Sequence, residues 1–535
     1  MSTTAGQASA ELRTDSGIPL EQVYRPGDVT GLDYERDLGD PGTFPYTRGQ
    51  RGGGATEGWI QRELSGEGSP ARSNDQFHKL IAHGALGLDV IGDTPTEALI
   101  DPDHRMARPA VGAAGVSICR RLDFVELYEG IPLERISASH SLPPAFAVAG
   151  FYLAAREHGI DPAVLRGSVI NAPLYVEDCC YAQFMPVELR LRMSLDAIEF
   201  SMRTMPRFHH FVEDTYYISD GGLDAVEEMA LGFVEIREVT RRLMARGHGV
   251  DEFAPRIAIL VNCRMDLFEE IAKIRATRRL YARMMRDEFG ARDPRSLAAN
   301  VAVHTSGMSL TPQQPINNVV RGAVQALAMG MAGVRGLEIS TFDEPFRTPS
   351  HTAHLVAMRT QQVITEETGV GRVSDPLGGS WYVEHLTDEL EQRIDAEVRR
   401  IEAAGDVAEL VDGGFFRGIF AETMDRHARQ VLEGERRIVG VNCHHAIGEE
   451  DTLLRDIAEA RFEADHQHAD RISRWRAERD PAPVEGALAA LRAAADDRSA
   501  DLMAPIVAGF EADATIGEMA AVLRESYGYR GDPFA

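Results

Sequence analysis

Basic residues are scarce in this chain. It carries 56 Lys and Arg against 83 Asp and Glu, a net charge of −27 over 535 residues. That balance argues against nucleic acid and anionic membranes as partners, since both need a basic face. Cysteine is scarce too: Cys119, Cys179, Cys180, Cys263 and Cys443, an odd count with no CxxC spacing. No disulfide framework or thiolate metal centre follows from that set, and a reducing cytoplasm is the expected compartment. No apolar run reaches the roughly 18 residues needed to cross a bilayer. The opening stretch, MSTTAGQASAELRTDSG, lacks the apolar core of a secretory signal. Internal repeats and long low-complexity tracts are absent, which argues against a solenoid.

What is present is an ordinary globular composition, 44% hydrophobic and 26% charged. Residues 1–32 are polar and broken by Gly and Pro, and read as a flexible arm. Residues 33–85 read as an N-terminal extension packing on a barrel or a partner. From Leu86, β-rich runs alternate with helical patterns. The candidate strands are Leu86–Ile91, Ile136–Ser141, Ser168–Ala172, Phe211–Ile218, Arg256–Asn262, Asn300–Thr305, Gly336–Thr341 and Arg372–Asp375. Eight strand–helix units predict an α/β fold, a (β/α)8 TIM barrel over 86–385. Residues 386–535 are charged, Ala-rich and helical in period, and read as a C-terminal helical region.

Six motifs occur in order: PGTFPYTRG (41–49), DEFAPR (251–256), TSGMSLT (305–311), DPLGGSWYVE (375–384), GVN (440–442) and RAERD (476–480). With that spacing, the chain resembles the large, barrel subunit of the methylmalonyl-CoA mutase family from about Asp33 to its C-terminus. The resemblance implies an isomerase that rearranges acyl-CoA skeletons with adenosylcobalamin. It also implies a barrel axis lined by Ser and Thr that admits the CoA arm, and ISASHS (136–141) suits such a channel. The family's cobalt-binding D-x-H-x-x-G motif is not found. DRHARQ (425–430) lacks the Gly and lies in a helical pattern. The cofactor is therefore expected to be held mainly by a separate small cobalamin-binding subunit, with no metal ligand on this chain. A G-protein chaperone is a further partner implied by the family.

Compared with the family, the substrate positions are altered. Leu64 falls where methylmalonyl-CoA mutases have Tyr, which leaves more room beside the migrating group. Asp89 and Ile91 replace a Ser and a selectivity residue. Ile170 replaces a barrel Gln, and Cys180 replaces the Arg that pairs the substrate carboxylate. Tyr217 takes the place of the His that bonds the thioester carbonyl, and is the expected catalytic hydrogen-bond donor. Asp89, Glu213 and Asp214 would give the cavity an acidic character suited to a hydroxyl or an amine. Arg256 survives for a CoA phosphate, and His304 stands near a lost Gln. The arginine clamp before Trp59 is reduced to QRGGGATEG (50–58), which leaves open CoA or an acyl carrier protein as the acyl donor.

Cofactor-facing positions implied by the resemblance are Ala114, Asp220, Ser340 and Glu344. Without an arginine for it, a free carboxylate would be buried unpaired at a cost of several kcal/mol. The expected substrate is therefore a branched or hydroxylated, non-carboxylated acyl thioester. The alternative is a non-catalytic barrel subunit of a cobalamin mutase complex.

Overall fold

A computed structural model describes residues 12–51, 58–179, 182–445 and 464–535. Eight parallel strands close into a barrel. They are β1 (Ile60–Ser65), β2 (Gly87–Ile91), β3 (Ser137–Ser141), β4 (Gly167–Ile170), β5 (His209–Asp214), β6 (Ile257–Cys263), β7 (Asn300–Thr305) and β8 (Gly336–Glu338). β1 pairs with β8 through Ile60–Gly336 and Arg62–Glu338. The outer ring holds α1 (Pro70–Ala82), α2 (Arg121–Leu127), α3 (Pro144–Glu157), α4 (Val187–Thr204), α5 (Ala225–Ala245), α6 (Leu267–Arg283), α7 (Asn317–Ala332) and α8 (His351–Glu367). Short helical turns are named below by their residues.

The strand set departs from the sequence reading at both ends. β1 lies inside the segment set apart as an extension. Its sequence, IQRELS, hides a strand because Arg62 and Glu63 are polar yet both enclosed. At the other end, Arg372–Asp375 is not a strand. Val370–Arg372 is a 3-10 turn, and Asp375 has φ 47°. β-branched Val373 mimics a strand, but the left-handed residue and Pro376 end any extension. The Phe211–Ile218 run is also divided. β5 stops at Asp214, whose carboxylate accepts from Tyr217 N–H and caps the short helix Thr215–Asp220. Tyr217 is therefore on a helical turn above the barrel and not in its wall.

Strand alternation decides what fills the lumen. Arg62 Nη2 donates to Ser137 Oγ at 2.7 Å, from β1 to β3, which are not neighbours; the bond crosses the interior. Leu64, Asp89, Ser139 and Ser168 share the next level, since Leu64 pairs with Asp89, Asp89 with Ser139 and Ser139 with Ser168. Gly87, Ala302 and Gly336 are small. Ser137, Ser139, His209, Asn300 and Ala302 stay partly exposed, whereas their wall-side neighbours Ala138, Val301 and Val303 are buried. A barrel of this kind normally packs its axis with bulky side chains; this one lines it with small and polar ones.

Two apolar cores sit outside the wall. One joins the β5–β8 side to α9 (Trp381–Ala404), which lies against α5 and α6. The other joins the β2–β4 side to three C-terminal helices. After α10 (Phe415–Glu433) and α11 (His466–Glu478), these are α12 (Pro481–Asp496), α13 (Met503–Glu511) and α14 (Ile516–Ser526). The motifs are clamps for this shell. In DPLGGSWYVE, Asp375 and Glu384 both hold the buried Arg275 of α6, Glu384 through both oxygens at 2.6 and 2.7 Å. In RAERD, Arg476 bonds Asp101, Asp103 and Glu518, and Asp480 caps α12.

Candidate active site

Active sites of such barrels lie at the C-terminal ends of the strands. Two groups of side chains meet there. The first stands above β5 to β8. Tyr216 stacks on His304, with ring centroids 4.3 Å apart and planes 8° apart. Ser340 Oγ donates to the Thr305 carbonyl at 2.6 Å and lies 3.0 Å from His304 Nε2, so the histidine proton sits on Nε2 and is donated to the hydroxyl. Burial lowers the His304 pKa to about 3, which keeps the ring neutral. Asp220 accepts from Asn262 Nδ2 at 2.7 Å and Ser306 Oγ at 3.0 Å. Glu344 accepts from Thr341 N–H at 2.8 Å, and burial raises its pKa to about 7.

The second group lines a cavity of ≈ 70 Å³ beside the ends of β3 to β5. Tyr217, Ile170, Asp214 and Ser141 border it on the barrel side, and Glu97, Arg190 and Met193 border it further out. Arg190 is committed in place: Nη1 is 3.4 Å from Glu177 Oε1, and Nη2 donates to the Leu174 carbonyl at 3.3 Å. Cys179 lines the same cavity, and burial pushes its thiol pKa up. Cys180, the expected carboxylate-site substitution, lies outside the described residues.

Below these groups, the lumen holds an acid pair. Burial raises the pKa of both Asp89 and Glu338, and the two carboxyls share a hydrogen bond. Arg62 is their nearest cation, and Ser141 Oγ donates to Asp89 at 3.2 Å. Leu64 is half-buried beside Asp89, and Ile91 is half-buried at the upper end of β2. Asp89 and Asp214 do face the interior, but Glu213 does not. A β4–β5 register shift turns it outward to α5, where it shares a hydrogen bond with Glu235. The expected acidic cavity therefore loses one member and gains Glu338 and Glu97.

At the N-terminal ends of the strands, arginines gather despite the chain's acidic balance. A cavity of ≈ 810 Å³ is bordered by Arg48, Gln50, Trp59, Arg335 and Arg372. Across the same end, Arg256 Nε donates to the Pro206 carbonyl at 2.9 Å, and Arg295, Arg207 and Arg166 lower its pKa further after burial. Ala114 is at the opposite end, exposed on a turn. Gly112 N–H donates to buried Asp93 at 2.6 Å, and a Cβ on Gly115 would lie 2.2 Å from the Gly92 carbonyl oxygen.

The family sequence model described as Methylmalonyl-CoA mutase matches residues 13–529. The chain belongs to the methylmalonyl-CoA mutase family. It is 34% identical over 534 residues to the 2-hydroxyisobutanoyl-CoA mutase large subunit of Aquincola tertiaricarbonis, covering 99% of this chain and 94% of that one. It is 34% identical to the methylmalonyl-CoA mutase of Cereibacter sphaeroides and 33% identical to that of Escherichia coli. Each of these matches covers 96% of this chain and 72% of the relative. These family members are mutases, a class of isomerase.

Within the family frame, the structure brings Tyr217 and Ile170 to one cavity, and Asp220, His304, Ser340 and Glu344 to one cluster. It leaves Arg256 at the far end and Ala114 on a separate turn. Sequence reasoning missed Tyr216, Glu97, Arg62 and Glu338. Tyr216 was detectable as the other half of a Tyr–Tyr pair. Glu97 and Glu338 carried no local signal, because a buried acid looks like a surface acid until its strand or helix is placed.

Proposed function

We propose that the chain is the barrel subunit of an adenosylcobalamin-dependent acyl-thioester mutase acting on a branched or hydroxylated acyl group without a free carboxylate. One observation carries this reading. The barrel axis is lined by small and polar residues, with an arginine-bordered cavity at the N-terminal ends of the strands and the Tyr217 cavity and the Tyr216–His304–Ser340–Glu344 cluster at the C-terminal ends. The polarity of that axis suits the CoA arm, with phosphates among the arginines. Ser137, Ser139 and Ser168 offer hydroxyls to its amides. Tyr217 donates a hydrogen bond to the thioester carbonyl. Leu64 leaves space beside the migrating group. Arg190 is already balanced by Glu177, so it offers no free charge to a substrate carboxylate.

The residues at the C-terminal face fit the family's cofactor. Glu344 is partly exposed with one carboxyl oxygen fixed by Thr341, which suits a ribose hydroxyl. Ser340 is turned inward with its proton committed to Thr305, so its part is to hold His304 and Tyr216 in place. Ala114, exposed on its turn, and Asp220 are the other positions that would face the cofactor. Bound there, adenosylcobalamin would supply a carbon radical that takes one hydrogen from the substrate and returns it after the 1,2-shift. The chain's part is to fix the thioester, exclude water and shield the reacting carbons. The cobalamin is held mainly by a separate small subunit; the match along 94% of a large subunit supports this. An acyl carrier protein is the competing acyl donor, and a G-protein chaperone is a further partner.

The test is reconstitution with a small cobalamin-binding subunit and a mass-spectrometric screen of acyl-CoA and acyl-carrier thioesters. Isomerisation of a branched or hydroxylated acyl group is the expected result, with the chain alone retaining no stoichiometric cobalamin. Absence of turnover across the panel, despite complex formation, would favour the non-catalytic reading.

A further inference from the structure

Among the acidic groups that face the reacting end of the barrel, nearly all are engaged. Asp89 receives Ser141 and meets Glu338 and Arg62. Asp214 caps the turn that carries Tyr217. Other polar groups around the ≈ 70 Å³ cavity are engaged in part. Asn171 Nδ2 donates to the Ser194 and His210 carbonyls at 3.4 and 3.2 Å, and Arg190 is held by Glu177 and Leu174. Among the described residues, Asn171 Oδ1 and Arg190 Nε and Nη1 nonetheless lack a hydrogen-bond partner. Glu97 is the acid in that position: it is 7% exposed, it borders the cavity, and its Oε1 has no hydrogen-bond partner among the described residues. An unpartnered buried oxygen in a native fold calls for an explanation.

Much of the remaining lining is apolar, with Leu142, Ile170, Pro173, Met193 and Ile218. Its ≈ 70 Å³ is several times the roughly 10–15 Å³ that a single water-sized group needs. A methyl or ethyl branch alone would leave much of it empty, and dry empty space of this kind forfeits contacts.

We infer that this cavity is an acyl-arm site, taking an acyl thioester whose chain extends several carbons beyond the reacting centre and ends in a hydroxyl bonded to Glu97. The inference rests on the acyl-thioester reading above and narrows its substrate class. Burial, and then the neighbouring Asp93, push the Glu97 carboxyl pKa well up, so the group is protonated near neutral pH. A protonated carboxyl both donates and accepts, and therefore matches a hydroxyl without an unbalanced charge. The reacting end of the substrate remains at Tyr217, and Glu97 acts in recognition only.

The test uses unreactive CoA thioethers that keep the carbonyl: 2-oxobutyl, 2-oxohexyl and ω-hydroxy-2-oxohexyl. Their binding to the full chain reconstituted with its small subunit is measured by calorimetry. The two added methylenes should tighten binding roughly tenfold, and the hydroxyl roughly fivefold more. Glu97→Leu should abolish the hydroxyl preference, and Glu97→Gln, which keeps size and hydrogen bonding, should retain it. Should Glu97→Leu fail to fold, Ala172→Leu gives an independent reading by filling the cavity. It should remove the hexyl advantage and leave butyl binding intact. Equal binding of the butyl and hexyl compounds, or a hydroxyl preference that survives Glu97→Leu, overturns the inference while leaving the mutase reading standing. If none of the three binds, the acyl-CoA reading fails and this inference with it.

Discussion

Tyr217 sits on the helical turn Thr215–Asp220. Its backbone N–H is fixed by Asp214, and its ring borders the same cavity as Ile170. Tyr217→Phe removes only the hydroxyl. If that hydroxyl stabilises the carbonyl as charge develops, kcat should fall roughly 10²–10³-fold with the fold retained. Unchanged kcat and KM on the true substrate would reassign the tyrosine to packing. A second residue-scale expectation concerns methylmalonyl-CoA. Arg190 is the guanidinium bordering this cavity, and Glu177 already balances it. Turnover to succinyl-CoA should stay far below ordinary enzyme rates of about 1 per second or more. A coupled assay on the reconstituted complex that reached such rates would contradict this.

At the scale of elements, the clamps explain why some motifs were visible in the sequence. Arg275 is 1% exposed and receives Asp375 and Glu384 from one ten-residue run, so the run must keep both acids at a fixed spacing. Arg275→Met would leave two buried carboxylates facing each other. Loss of one partner from such a buried pair costs about 3–5 kcal/mol, which should appear as a lower urea midpoint with an unchanged slope. A midpoint within error of the parent would mean the clamp contributes no net stability. The strands β2, β4, β6 and β7 were legible because apolar residues and β-branched runs mark them. β1 was not, since its Arg62 and Glu63 are satisfied only by groups distant in sequence: Ser137 for the first, and Gln361 for the second. The helical turn at Thr215–Asp220 was missed for a related reason. Local preference for extended structure in TYYI lost to one capping carboxylate. The site followed the same division. Ile170 and His304 lie on strands that the sequence pattern marked. Groups whose role depends on what surrounds them, such as Glu97 and Glu338, needed the fold.

For the molecule as a whole, the enclosed acids set a pH dependence. Burial raises Glu344 to about 7 and Glu269 to about 8, and it pushes Glu63, Glu97 and Glu338 well above the usual range. In the unfolded chain these groups ionise near 4.3. Above that pH the unfolded state has released protons that the folded state still holds, so each raised pKa makes stability fall as pH rises towards the folded value. Buried histidines act in the opposite sense. His140, His209 and His354 are lowered to about 4, and His210 and His304 to about 3. Their effect is confined to pH below roughly 6.5, where the unfolded imidazole would gain its proton. Between pH 6.5 and 8 the histidines are neutral in both states and only the acids act. The melting temperature of the full chain should therefore drop steadily across that interval, and Glu269→Gln should flatten part of the drop. A melting temperature that rises from pH 6.5 to 8 would mean that the carboxyls around the lumen and behind β6 are ionised in the folded state. The lumen would then be wetter, and more strongly negative, than its packing indicates.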